Sequence, residues 1–301
     1  MKSITQLMAL HRQLCHHVGR LAAFAAACCL CTQAEAANIT VTSPADAGAG
    51  TLRAAIAAAN PLGGDTINFA QALNGATIFL DAGELVIDKG LTIAGLGAAH
   101  LAIVAANHRV FHIEPTEGGP TVIIKGLRLR GRVVGTAGAN GTAQSRDGQP
   151  GGVARGGAIL QDDGILTVEH CHIEGCAVIG GAGGDAYDPG YTWLPGHGGA
   201  GGSAEGGAIH TASGDLRLDS CTFGYGNYAT GGAGGRGFGG TLNGSGGDGG
   251  PARGGALYTG YDAVDLAVVN CTFAANAANG GAGGRGGVEP GRRKTNKTHY
   301  G

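Results

Sequence analysis

Short apolar and polar alternations follow one another from residue 39 onward: Ile39-Thr-Val-Thr42, Thr66-Ile-Asn-Phe69, Thr77-Ile-Phe-Leu80, Leu85-Val-Ile87, Leu91-Thr-Ile93, Leu101-Ala-Ile-Val104, Val110-Phe-His-Ile113 and Thr121-Val-Ile-Ile124. A period of two over four or five residues predicts strands with one face buried, and Gly, Asn, Asp or Pro punctuates nearly every gap. One stretch changes period. In Thr51 to Asn60, Leu52, Ala55, Ile56 and Ala59 share a helical face, and Asn60-Pro61 marks the stop. A lone amphipathic helix ahead of many short strands predicts a plug over an otherwise open sheet edge.

Further along, the alternation becomes a repeat. Leu166-Thr-Val-Glu-His-Cys171 is echoed by Leu216-Arg-Leu-Asp-Ser-Cys221 and Leu266-Ala-Val-Val-Asn-Cys271, the cysteines fifty residues apart. Each phrase follows a second one: Gly156-Gly-Ala-Ile159, Gly206-Gly-Ala-Ile209 and Gly254-Gly-Ala-Leu257. Self-similarity of this kind predicts a solenoid in which equivalent residues stack. The columns expected to face the core are Leu96, Leu127, Cys171, Cys221 and Cys271 and, two residues on, Leu129, Ile173, Phe223 and Phe273. Between each Cys phrase and the next Gly-Gly-Ala phrase lies an insert such as Gly180-Gly-Ala-Gly-Gly184 or Gly231-Gly-Ala-Gly-Gly235. With no apolar surface to bury, these inserts read as lateral loops.

Composition adds a compartment and removes some functions. The chain carries 20 Lys+Arg against 22 Asp+Glu, a balance that gives nucleic-acid binding no support, and 62 of its 301 residues are glycine. Lys2, Arg12 and Arg20, the apolar run Leu21 to Cys31 and then Ala34-Glu-Ala36 fit a secretory signal peptide over residues 1–36, cut after Ala36. That run is too short for a transmembrane span, which needs about 20 apolar residues. Acylation at Cys28 is a competing reading of the same leader. The expected organisation is then a cap and first rungs over 37–131, rungs with glycine-rich insertions over 132–287, and a basic, disordered tail over 288–301. Without the leader, Cys171, Cys176, Cys221 and Cys271 remain. Strands about 4.8 Å apart lie within disulfide range in an oxidising compartment, so stacked thiols and a bridge are both open.

The stacked columns resemble those of the right-handed parallel β-helix proteins of bacterial envelopes, with a pectin-lyase-like architecture. Gly50-Thr-Leu-Arg-Ala-Ala-Ile-Ala-Ala-Ala-Asn60 followed by Gly64-Asp-Thr-Ile-Asn-Phe69 is similar to the CSLREAI-type N-terminal motif of such secreted proteins, with Thr51 where that motif has serine and Ala54 where it has glutamate. The resemblance implies an all-β, right-handed parallel β-helix with a short N-terminal capping α-helix and glycine-rich lateral loops. Asn270 stands where that fold often keeps a turn asparagine, with His170 and Ser220 in its place on the other copies.

Candidate chemistry is thin by comparison. Asp162 and Asp163 are the best catalytic carboxylates, but the matching places hold Ala212-Ser213 and Gly260-Tyr261, leaving Asp262 as an irregular third. A glycosidase pair needs carboxyls roughly 5 to 9.5 Å apart, and these read more simply as solvated turn aspartates. Asp185 and Asp188 end a single copy of a calcium-type nonapeptide, Gly180 to Asp188, so calcium is the one cofactor worth weighing. Tyr187, Trp193, His210 and Tyr258 form a possible ligand-binding face, because aromatic rings stack on sugars. Outward ion pairs are expected for Lys125 with Glu169, Arg130 with Glu174, and Arg155, Glu205 and Arg253 together. The expected role is a non-catalytic, adhesin-like scaffold presenting loops to a glycan or protein at the cell surface; a polysaccharide lyase or glycoside hydrolase of the same architecture is the alternative.

Overall fold

The computed structural model describes residues 36–188, 194–239, 244–260 and 264–287. The leader, the basic tail, Trp193 and Asp262 lie outside the described residues. The described chain is nearly all β, and every strand pair in it is parallel. Sheet 1 holds seven strands: Asn38–Val41, Asp65–Phe69, Leu91–Ala94, Thr121–Lys125, Ile165–Glu169, Gly214–Asp219 and Val264–Val269. Sheet 2 holds Ala76–Leu80, Leu101–Ala105, Arg128–Arg130, His172–Glu174, Thr222–Gly224 and Thr272–Phe273, and sheet 3 holds Leu85–Ile87, Phe111–Ile113, Ile159–Gln161, Ile209–Thr211 and Leu257–Thr259. The chain visits sheets 1, 2 and 3 in rotation. From Arg132 onward two small sheets intervene between sheets 2 and 3: sheet 4 (Arg132–Val134, Ala177–Ile179, Tyr228–Thr230, Ala277–Asn279) and sheet 5 (Ala154–Arg155, Ala204–Glu205, Ala252–Arg253).

One helix, α1 (Leu52–Ala58), starts at Thr51, whose hydroxyl accepts from the Ala54 N–H, and buries Leu52, Ala55 and Ile56. Burying side chains the size of Leu52 and Ile56 contributes about 1.5 to 3 kcal/mol each. Arg53 on its other side binds Asp46 at 2.7 Å and the carbonyls of Gly83 and Glu84, tying the helix to the first turns.

The main core lies among sheets 1, 2 and 3, filled by inward residues that stack circuit on circuit. Leu129, Ile173, Phe223 and Phe273 form one column by strand register, and the last two rings stack at 4.6 Å and 1°. Cys171 and Cys221 are buried, the Cys221 N–H points at the Cys271 sulfur at 3.4 Å, and Cys171, Cys176, Cys221 and Cys271 are all free thiols. Leu127 is fully buried, whereas Leu96 and Cys271 are only half-buried against the core and Phe273, on the last circuit with no further circuit described beyond it, is 44% exposed, contrary to the expected inward position. The residue before each cysteine makes the turn between sheets 1 and 2 in the left-handed region: His170, Ser220 and Asn270 have φ of 51°, 54° and 51°. Asparagines instead stack one turn later, where Asn227 accepts from the Cys176 N–H and donates to Ile173 O and to Asn276 Oδ1. Cys176 holds the repeat position occupied by asparagine on the next two circuits.

The glycine inserts are not loops. Their outgoing segments (135–141, 180–187, 231–238, 280–287) continue sheet 4, and their returning segments (148–153, 196–203, 244–251) lead into sheet 5. Donors recur at every third residue. In the outgoing layer Gly180 and Gly183 bond to Thr230 and Ala233 of the next circuit, and Gly231 and Gly234 to Asn279 and Ala282. The glycine beside each of them bonds across to the returning layer, as Gly181 does to Gly152 and Gly184 to Gln149. A three-residue period with bonds running between segments is the geometry of packed polyproline II helices. It demands glycine by close approach: a Cβ on Gly181 would overlap the Thr136 carbonyl oxygen, and one on Gly232 that of Gly181. Backbone hydrogen bonds replace the apolar contacts that these segments lack, which is why a reading based on side-chain burial mistook them for loops. Only the third residue of each triplet, such as Ala182, Ala233 or Arg236, faces outward.

Candidate functional site

Sheet 3 carries the densest group of ionisable side chains. Its outward column, by register, is Val86, His112, Leu160, His210 and Tyr258. Phe111 and Ile113 point inward, so alternation turns His112 out. Glu84 and Arg109 each sit just before a strand of this sheet and Asp162 just after one, which brings all three to the same imidazole. Glu84 Oε1 lies 3.0 Å from His112 Nδ1, and Asp162 Oδ2 lies 2.8 Å from Nε2. Arg109 Nη1 holds the other Glu84 oxygen at 2.9 Å.

With a carboxylate on each nitrogen, the protonated ring donates to both, and the pair favours that form. The hydrogen bond to Glu84 first, then that to Asp162 and the charges of both, raise the His112 pKa against the opposing effect of burial. For Glu84, burial pulls upward, but the His112 bond and the Arg109 charge prevail and hold the carboxyl below its ordinary range. Asp162, read from sequence as a solvated turn aspartate, keeps a side chain 36% exposed and adds the bond to His112. Its neighbour Asp163 accepts from Ser213 Oγ at 3.2 Å.

A second cluster follows on the next circuits. Glu205, with a side chain only 9% exposed, binds Arg155 at 3.0 Å through one oxygen and Arg253 at 3.0 Å through the other. His210 Nε2 lies 3.4 Å from Glu205, and its ring meets Tyr258 at 5.4 Å with a 38° tilt. Burial lowers the His210 pKa, assisted by the Arg155 charge and opposed by Glu205. His210 Nδ1 is buried without a hydrogen-bond partner among the described residues. The expected trio Arg155, Glu205 and Arg253 is present as drawn from the repeat. The expected Arg130–Glu174 pair is not: Glu174 bridges Arg128, at 3.7 Å.

The other sequence candidates are dispersed. Tyr187 ends an outgoing glycine segment, where its N–H donates to Arg146 O. Asp185 Oδ1 accepts the Arg236 N–H at 2.7 Å, a clasp between circuits of the lattice. Among the described residues no group of three or more His, Cys, Asp or Glu is placed to hold a metal ion, and no helix is long and apolar enough to cross a membrane. His112 and Glu84 escaped the sequence reading because Val110 to Ile113 lacks the Gly-Gly-Ala phrase that aligned His210 with Tyr258. The available signal was a histidine at the polar position of an otherwise apolar strand. Comparison with protein-family models, curated proteins and solved structures finds no match for the chain.

Proposed function

We propose that this chain is an exported, right-handed parallel β-helix that acts as a non-catalytic, adhesin-like scaffold, binding a glycan or protein at the cell surface. The rotation of the chain through stacked parallel sheets supports the solenoid, and parallel crossovers are right-handed in nearly all proteins. The observation that carries the role is the glycine lattice. A slab held by backbone bonds fixes outward side chains in rows at regular spacing, which suits their presentation to a partner.

The carboxylates of sheet 3 favour the same reading over a hydrolase. A general acid needs a carboxyl kept protonated near neutral pH, whereas Glu84 is held ionised by His112 and Arg109. The imidazole also fills the space between Glu84 and Asp162, where a glycosidic oxygen would have to sit. The test uses the chain from residue 37 onward. Binding to members of a broad glycan and surface-protein panel, with no reducing or unsaturated ends released from acidic and neutral polysaccharides, is the expected result. Release of such ends, abolished by Glu84→Gln, would replace the scaffold with an enzyme.

A further inference from the structure

The last strands of all five sheets lie together at one end of the stack, as edges without a neighbouring strand among the described residues. The longest is Val264–Val269, and its inward residues are not covered. Leu266 and Val268 are 41% and 44% exposed, whereas Leu216 and Leu218, their register partners one circuit back, are buried. Phe273 lays one face on the buried Phe223 ring and leaves the other open. The opposite end of the stack differs, because α1 closes it with buried Leu52 and Ile56. An apolar row beside a free strand edge is a template for pairing with another chain.

We propose that this end is a dimer interface, in which the Val264–Val269 strands of two copies pair antiparallel across a two-fold axis. The fourteen residues after the described chain, 288–301, contain Val288 and Tyr300 as their only large apolar side chains, among Arg292, Arg293, Lys294 and Lys297. They do not supply the Leu-x-Val or Leu-x-Leu phrase by which each repeat covers the one before. A second copy does. In an antiparallel pair centred on Ala267, Leu266 stands opposite the partner's Val268 and Val268 opposite the partner's Leu266, all on the inward face, because alternation keeps residues two apart on one side of a sheet. The two-fold axis makes the contact self-complementary and closed, and the helix over the other end leaves no matching surface for head-to-tail growth. The contact does not depend on the binding role proposed above. A scaffold joined in this way presents its rows twice per particle, which raises avidity for a repetitive surface.

The experiment is sedimentation velocity of the chain from residue 37 onward, with reductant, across a wide concentration range. A reversible equilibrium between monomer and dimer is expected. Leu266→Lys with Val268→Lys should weaken it by roughly hundredfold or more, since the charges would be buried unpaired, while the circular dichroism of the parent is kept. Ala267→Cys tests the register without touching the core. Residues facing each other across an antiparallel pair have Cα atoms about 4.5 to 5.5 Å apart, within disulfide range. Mild oxidation should therefore give a covalent dimer that peptide mapping shows to be linked through position 267, whereas Ala182→Cys, exposed on the glycine slab, should give none. A monomer at every concentration, a dimer indifferent to the lysine pair, particles larger than two chains, or no bond through position 267 overturns the inference.

Discussion

Gly234 and Gly283 occupy the same repeat position on consecutive circuits, yet alanine should have opposite effects at the two. A Cβ on Gly234 would overlap the Gly247 carbonyl oxygen, whereas on Gly283 its nearest neighbour, the same oxygen, is 3.8 Å away. Neither glycine has a positive φ, so alanine is conformationally acceptable at both. To admit the methyl group at 234, the outgoing and returning segments must part, weakening the bonds Gly247 N–H to Gly235 O (2.9 Å) and Gly250 N–H to Gly232 O (2.8 Å). Two such bonds contribute about 1 to 3 kcal/mol net. Against this stands the gain of about 0.4 to 1 kcal/mol from replacing glycine in the unfolded chain, which at 283 is unopposed. Gly234→Ala should therefore be destabilising and Gly283→Ala slightly stabilising. Chemical denaturation read by circular dichroism measures both, and hydrogen exchange should show faster exchange at the amides of Gly247 and Gly250 in the first variant only. Equal shifts in the two variants, or a Gly234→Ala protein as stable as its parent, would refute the packed-lattice reasoning.

Other expectations follow from the buried polar groups. The raised pKa of His112 means that its stabilisation is fully present below the unfolded value of about 6.5 and is lost as pH rises through the higher folded value; stability should fall over that window, and His112→Gln should remove the slope in a pH series of denaturant melts. Asn227→Ala leaves the Cys176 N–H and the Ile173 carbonyl unpaired in a dry interior, at about 1 to 3 kcal/mol per group; a midpoint within error of the parent would show that the asparagine is dispensable. In the native protein a thiol reagent should modify Cys271 first, because it alone of the four is not buried: burial raises its pKa as well, and the bond with Cys171 lowers that of Cys221, but the Cys221 sulfur is enclosed, as is Cys176, whose pKa burial pushes up to about 12. Denaturation without reductant should then expose four thiols in the chain from residue 37 onward, and a count of two would mean that the column is bridged.

What the sequence disclosed and what it hid divide along the line between side-chain and backbone stabilisation. Leu166 and Leu216, like Ile173 and Phe223, are legible because a buried column needs an apolar residue at a fixed phase in every copy, and a slip of one residue would turn them outward; Leu266 and Phe273 on the last circuit keep that phase while remaining exposed. The helix is legible for the same reason, through Leu52 and Ile56. The triplets Gly180-Gly-Ala182, Gly231-Gly-Ala233 and Gly280-Gly-Ala282 carry no such signal, and an apolar-periodicity reading scores them as silence. Their information lies in where a Cβ is forbidden: in the first two triplets the first glycine bonds within its layer and the second bonds across, leaving one position in three free to vary, while on the last circuit Gly280 lacks the in-layer bond among the described residues and a Cβ there would lie 3.9 Å from its nearest neighbour. The variable residues at that third position, Asn140, Asp185, Arg236 and Arg285, are then the part of the insert on which selection can act without disturbing the slab. In sheet 3 the relation is reversed. Glu84 and His112 come from circuits that lack the Gly-Gly-Ala phrase preceding Asp162, so only register could bring the three together. A charged cluster assembled in this way ties the circuits of Glu84 and His112, which the repeat leaves unmarked, to the first circuit that carries it.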